Sequence, residues 1–385
     1  MIISKTQMLI LDPHQRDPER VCILMKLKKI KNYTKEIDIS NCLAALDGIF
    51  GFSEGTLDSG NFEGTLFRFP LRNETTPLSD NVYSEKKILD LFNAFQAEAS
   101  VELLFLKCLE KINLHFKDAD EFNCKEDAPF FTVQISDNSV KEARTNRQLL
   151  HRYMKTVGNS LAKDTFISSF KMAISTTKTS GERVEKEWMI MHCLKGGAMS
   201  KELIALSKDE SLSYIPFVSI ALPINAELDF KGHVFCLMPL PLEDESLTGF
   251  PVHVNGYFAL SQNRRHVKWP TADQTRNKAH TDKAIRWNKC LVKEVLADVY
   301  YTLIRQIITT CTENNNSRDS ISILYRCIPD HRRITSHWEL ILNPLFSRLL
   351  LDAFLFTENN GGKWIKSTDA VFSIFKEDTS DGKFL

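Results

Sequence analysis

Few residues of this 385-residue chain have the type and spacing to do chemistry. Gly64-Thr65 opens an alternating apolar stretch, Gly64-Thr65-Leu66-Phe67-Arg68-Phe69-Pro70-Leu71-Arg72. In an ATP-binding α/β sandwich such a glycine lets the backbone approach the nucleotide, and the threonine hydroxyl can hold a water against the adenine. The same pair also simply starts a strand. His233, His253 and His266 invite a metal, but no spacing puts two ligands on one face, and Asp229 is the only carboxylate close to His233. They read as scattered sheet histidines. Cys236 and Cys290 are thiols in apolar periodic surroundings and read as core rather than nucleophiles. Trp269 follows Arg264, Arg265, His266 and Lys268, which makes either a basic-aromatic partner surface or a tryptophan covering a strand end. No Gly-x-Ser-x-Gly elbow, Walker-type loop or His-Glu-x-x-His occurs.

Composition narrows the classes. The 49 Lys and Arg balance the 49 Asp and Glu, so the chain lacks the summed positive field that nucleic-acid binding uses. Nine cysteines, widely spaced and without a Cys-x-x-Cys pair, argue against disulfide or zinc frameworks and for a reducing compartment, the cytoplasm. The apolar run at residues 1–5 is too short for a signal peptide, and no run of about 18 apolar residues exists to span a membrane. Twenty-five phenylalanines point to large sheet-against-helix cores.

The elements that must position these residues fall in three stretches. In 1–117 strand and helix signals alternate: a short strand at 8–11, a short helix at 42–50, the strand at 64–72, a helix at 84–99 with Ile88, Leu91, Phe92 and Phe95 on one stripe, an ambiguous apolar cluster at 103–106, and a strand at 112–116. A charged hinge at 117–127 follows. Residues 118–275 are strand-rich: 129–135, a helix at 141–157, a hairpin of 170–177 with 185–194 about Ser180-Gly181-Glu182, then 215–222, 233–237 and the cleanly alternating 251–260. Residues 276–385 read as helical, with Trp287, Leu291, Val295, Val299 and Leu303 on one stripe, an Asn-rich loop at 312–317, a second helix at 337–356 stopped by Asn359-Asn360-Gly361-Gly362, and a polar tail from Lys376.

Several segments occur together in one order: Leu11-Asp12-Pro13-His14, Gly48-Ile49-Phe50-Gly51-Phe52, the Gly64 strand, Leu103-Leu104-Phe105-Leu106-Lys107, and Gly232-His233-Val234-Phe235-Cys236-Leu237-Met238-Pro239-Leu240-Pro241. Thr248-Gly249-Phe250-Pro251-Val252-His253-Val254-Asn255-Gly256-Tyr257-Phe258-Ala259-Leu260-Ser261, Asn263-Arg264-Arg265 and Asn359-Asn360-Gly361-Gly362-Lys363-Trp364 complete the set. In this the chain resembles the sacsin family over essentially its whole length. The resemblance implies an α/β (α+β) fold: the back half of a GHKL, Bergerat-type ATPase sandwich at 1–117, a two-layer α/β middle domain at 118–275 and a helical C-terminal region at 276–385. It implies a chaperone or co-chaperone role in protein folding and quality control, with client proteins and the seventy-kilodalton heat-shock system as partners.

For the full family module the resemblance implies ATP and magnesium. Gly64 and Thr65 would then stand at the nucleotide, and Arg264 or Arg265 would reach its terminal phosphate. The family's Glu-x-x-x-Asn helix, Asp-x-Gly-x-Gly loop and phosphate-facing glycines all precede the segment matched here by Leu11-Asp12-Pro13-His14. Asp58-Ser59-Gly60-Asn61 lacks the second glycine, lies too close to Gly64, and reads as a turn. The expectation is therefore a module that is not an enzyme and holds no cofactor by itself. The alternatives are an incomplete product of an active ATPase chaperone and a structural interaction module without chaperone work. An uncovered sheet edge would also favour self-association.

Overall fold

The computed structural model describes residues 1–12, 21–30, 39–72, 74–77, 79–116, 129–157, 161–225, 230–238, 240–241, 243–271, 282–358 and 361–371. The hinge at 117–127, Pro13-His14, Asp229, Asn359-Asn360 and the tail from Lys376 lie outside them. The fold is mixed α/β, in two compact units: Met1–Ala97 with Lys117–Ala128, and Glu98–Phe116 with Pro129–Leu385.

The first unit holds an antiparallel sheet of order β3-β2-β1-β4, with β1 (Ile2–Lys5), β2 (Gln7–Leu11), β3 (Cys22–Lys26) and β4 (Phe62–Phe67). Strand period two sorts its side chains. Ile3, Met8, Met25 and Leu66 share one face and are buried with Phe52 and Phe62. The other face aligns Phe67, Ile2, Leu9 and Leu24 straight across four strands, and Phe67 and Leu24 are 55% and 60% exposed. The short helices α1 (Ser40–Ala44) and α2 (Glu54–Ser59) follow β3 in sequence. Gly60 closes α2 in the left-handed conformation (φ 67°), donating its N–H to Thr56 O, so Asp58-Ser59-Gly60-Asn61 is a helix end and turn as expected.

Two expectations need correction here. The strand at 64–72 begins at Phe62 and ends at Phe67, with the Arg68 N–H still donating to Met1 O. The helix at 42–50 is only the five residues of α1, since Gly48 and Phe50 take left-handed backbone angles that break it. Helix α3 (Glu85–Glu102) covers the predicted 84–99, yet Leu91 and Phe92 of its apolar stripe are exposed.

The second unit is built on a seven-stranded sheet of order β10-β11-β9-β8-β7-β6-β5. Its strands are β5 (Lys111–Leu114), β6 (Phe131–Ile135), β7 (Phe166–Lys178), β8 (Arg183–Leu194), β9 (Phe217–Pro223), β10 (Val234–Phe235) and β11 (His253–Gly256). All neighbours are antiparallel except β10 and β11. Helix α4 (Asp137–Val157) lies on one face. The short α5 (Lys201–Ser207) is N-capped by the Ser200 hydroxyl, which accepts from Leu203 N. On the opposite face α6 (Lys283–Cys290) runs through a π-helical turn (Leu291–Leu296) into α7 (Ala297–Glu313). Met189, Met191 and Cys193 of β8 and Val218, Ile220 and Leu222 of β9 pack against Val292, Val295, Val299 and Leu303 of this helix. That seam holds Val295, Val299 and Leu303 of the predicted stripe, whose Trp287 and Leu291 are buried in the same core. Helix α8 (Arg318–Cys327) and α9 (Leu342–Leu349) complete the core.

The predicted helix at 337–356 stops early. It is a 3₁₀ turn (Trp338–Ile341) and α9, followed by a hairpin of β12 (Ala353–Thr357) and β13 (Lys363–Lys366). Asp352 ends the helix side by accepting from Tyr301 Oη and from Arg305, which turns the chain away before Ala353. The apolar cluster at 103–106 is neither helix nor strand.

Candidate functional site

Gly64 and Thr65 lie in β4, at the sheet edge of the first unit. Gly64 has φ 131°, a conformation that side chains resist. Thr65 is exposed, and its hydroxyl shares a 2.9 Å hydrogen bond with Ser4 Oγ on β1. The hydroxyl that would hold a water against a base thus already has a protein partner.

Arg264 and Arg265 belong to the second unit, so the sequence-predicted residues divide between two separately packed bodies. The two arginines tip a tight turn. Ser261 N donates to His266 O at 2.9 Å and Arg264 N to Ser261 O at 2.9 Å. Asn263 Oδ1 accepts from Ser261 Oγ at 2.6 Å and from Arg265 N at 3.2 Å. Arg264 has φ 57°, the left-handed angle that lets the turn reverse. Arg265 is ion-paired with Glu243, whereas Arg264 is exposed and forms no ion pair among the described residues.

What holds this turn is a buried amide on α6. Asn288 Oδ1 accepts from Ala259 N at 2.8 Å, and its Nδ2 donates to Ala259 O at 2.9 Å and Lys268 O at 2.8 Å. The neighbouring Trp287 Nε1 donates to Tyr257 O at 2.7 Å. These bonds explain a departure from expectation. The strand at 251–260 is only His253–Gly256: Tyr257 N still donates to Phe217 O of β9 at 3.3 Å, but Tyr257 O and both backbone groups of Ala259 bond to side chains of α6. Trp269 then stacks on His337 with ring centroids 5.2 Å apart and meets Trp338 edge-on at 5.5 Å. It anchors the end of the arm, which is the strand-end cover among the two readings of that residue.

The histidines separate. His253 is buried and accepts from His233 N at 3.0 Å through Nδ1, and burial, with His233 nearby, pushes its pKa down to about 3. His233 Nδ1 pairs with Ser246 Oγ at 2.9 Å. Among the described residues no three His, Cys, Asp or Glu side chains converge as metal ligands. Burial raises Cys236 to about 11 and Cys290 to about 12, so both thiols stay protonated at neutral pH, as core thiols do.

A cleft that the sequence reading missed lies on the α4 face of the large sheet. It encloses about 780 Å³. Its floor includes His192 and Asn255, two members of a polar row, Ser168, His192, Ser219 and Asn255, that runs in direct register across β7, β8, β9 and β11. His192 Nδ1 and Ser219 Oγ are 2.7 Å apart, and the ring lies between Phe170 and Phe217 at 5.5 and 5.9 Å. Burial first, then the nearby Arg147, lowers the His192 pKa to about 4. The wall is cationic: Lys107, Arg144, Arg147 and Arg152 line it with one carboxylate, Glu110. The signal in the sequence was a histidine and a serine inside otherwise apolar strands. Their register, which makes them one row, is not readable without the pairing.

A sacsin domain family model matches residues 1–128. Human Sacsin is 33% identical to the chain over 396 aligned residues, which cover 98% of this chain and 8% of that protein. The chain thus spans under a tenth of the length of this relative. Family match and relative agree with the segments read from the sequence: the chain is sacsin-like, with a sacsin domain at its first 128 residues.

Proposed function

We propose that the chain is a chaperone or co-chaperone module for protein folding and quality control in the cytoplasm, binding clients or heat-shock chaperone partners without hydrolysing ATP by itself. Its relation to human Sacsin along 98% of its length carries the reading. The outward row Phe67, Ile2, Leu9 and Leu24, exposed at its two ends and half-buried between them, supports it, since contiguous apolar surface is what an unfolded client would meet. In this reading the four-stranded sheet is the back half of a Bergerat-type ATPase sandwich and the seven-stranded sheet is the middle domain. No helix among the described residues is long and apolar enough to cross a membrane. The test is suppression of aggregation of a heat-denatured model client. Stoichiometric chain should lower light scattering, and Leu24→Lys with Phe67→Lys should lose the effect. No suppression by the natural chain would favour a structural interaction module instead.

A second reading rests on Arg264, an exposed guanidinium on a braced turn with no ion pair among the described residues. In a longer polypeptide carrying the family's other nucleotide elements, Arg264 would meet a terminal phosphate, with Thr65 at the base and magnesium held by those other elements. Isothermal titration of the chain with Mg-ATP should give no saturable heat. Micromolar binding would overturn the nucleotide-free reading.

A further inference from the structure

The cleft over the large sheet has a chemistry that the chaperone reading does not use. Phe105, Leu150, Met154, Phe170, Phe217 and Leu237 give it an apolar body. Its volume of about 780 Å³ falls within the range of small-molecule sites. Buried polar groups on the floor of such a cleft are normally fully hydrogen-bonded. Here His192, which lines the cleft, uses only Nδ1 among the described residues, and beside it in the row Ser168 Oγ is buried with no hydrogen-bond partner among them.

The wall is short of negative charge. Glu110 is gripped at both oxygens by Arg144, at 2.6 Å each. Arg147 is left with neutral acceptors, donating to Leu109 O at 2.9 Å and Leu103 O at 3.0 Å. Four cations therefore face one carboxylate that is already engaged, in a chain whose total charge is zero. A half-buried guanidinium whose nearby carboxylate, Glu110, is hydrogen-bonded to another arginine is a site that an incoming carboxylate would stabilise.

We propose that this cleft binds an anionic amphiphile, a free long-chain carboxylate whose head meets Arg147 above the His192–Ser219 floor and whose apolar body lies against Phe170 and Phe217. The neutral imidazole suits that role, because its second ring nitrogen can serve the head group without adding charge. Occupation would place a negative charge beside Arg147 and so remove part of what disfavours the His192 imidazolium.

The test titrates the whole chain with dodecanoate below its micellar concentration, and in parallel with dodecyltrimethylammonium, by calorimetry. Dodecanoate should bind saturably in the micromolar range and at least tenfold more tightly than the cation. Lys107→Glu with Arg152→Glu reverses charge at exposed rim positions and should weaken dodecanoate at least fivefold while the circular dichroism spectrum is unchanged. Gln148→Trp, another exposed lining position, should block the cleft and abolish binding. Nitrogen-15 spectra should show the His192 pKa rising on addition of dodecanoate. No saturation by 1 mM, equal binding of the two detergents, or dodecanoate binding that survives Gln148→Trp would each overturn the proposal. So would binding of an acidic aromatic peptide at this cleft with none of the free carboxylate. These readouts do not depend on client or ATP binding.

Discussion

Replacing Asn288 by alanine would release the arm that carries Arg264. The amide makes three hydrogen bonds of 2.8, 2.9 and 2.8 Å to backbone groups of Ala259 and Lys268, and the residue is wholly buried. Each bond contributes about 1 kcal/mol net, and a buried group left unpaired costs about 1–3 kcal/mol. Ala259 N–H and Lys268 O lose their partner, whereas Ala259 O keeps the Lys268 N–H at 2.9 Å. Summing these terms, with one of the stranded groups regaining water, gives a loss of about 3–5 kcal/mol in the second unit. Urea denaturation followed by tryptophan fluorescence reads this directly, since Trp269, Trp287 and Trp338 all sit in that unit. The Ala259 amide should also exchange with solvent far faster than in the natural protein. A loss below about 1 kcal/mol with unchanged exchange at Ala259 would refute the claim that Asn288 holds the arm.

Other outcomes follow from the same structure. His192 and His253 stay neutral in the folded chain down to about 4 and about 3, whereas free imidazole titrates near 6.5. Their contribution is thus fully present above the unfolded pKa and is lost as pH falls below it. Linkage gives about 2 kcal/mol lost per histidine by pH 5, so the urea midpoint should drop between pH 7.5 and 5, and less so in His192→Gln. Asp298, nearly buried, accepts from both Lys195 and Arg348. Asp298→Ala should cost about 3–5 kcal/mol by thermal or urea melting, because two cations lose their shared anion. Gly60→Ala should cost about 1–2 kcal/mol, since a side chain resists the left-handed angle. A methyl there would also overlap the Lys28 side chain, and displacement of that lysine is the check by crystallography.

Elements with strong periodicity were legible in the sequence. The stripe from Trp287 to Leu303 and the hairpin about Ser180-Gly181-Glu182 both stand as read, because burial in one apolar core decides the first and a tight turn between apolar runs the second. Ends were less legible. β11 was overrun by four residues, since nothing local announces that Asn288 and Trp287, some thirty positions on, claim the backbone after Gly256. Residues 350–356 fit a helix by apolar content, yet tertiary bonds to Asp352 end it and pairing with β13 makes Ala353 onward a strand. β1 and β3 went unread because their outward faces are as apolar as their inward ones, so the period-two signal disappears. Of the site residues, the arginine turn was visible as Asn263-Arg264-Arg265, but its brace and the polar row beneath α4 are products of register.

The π-helical turn at Leu291–Leu296 fixes how this protein can change over evolutionary time. It separates Trp287 and Asn288, which face the arm, from Val295 to Leu303, which face the sheet. Each residue of a helix advances its neighbours by about 100°. Deleting one residue within the turn would convert it to regular helix and rotate one of these two faces out of register with its target. Point substitutions there can be absorbed by repacking, but a single-codon deletion cannot, because the arm and the sheet would demand different phases of the same helix. Lineages of this chain should therefore conserve the length of that helix more strictly than its composition.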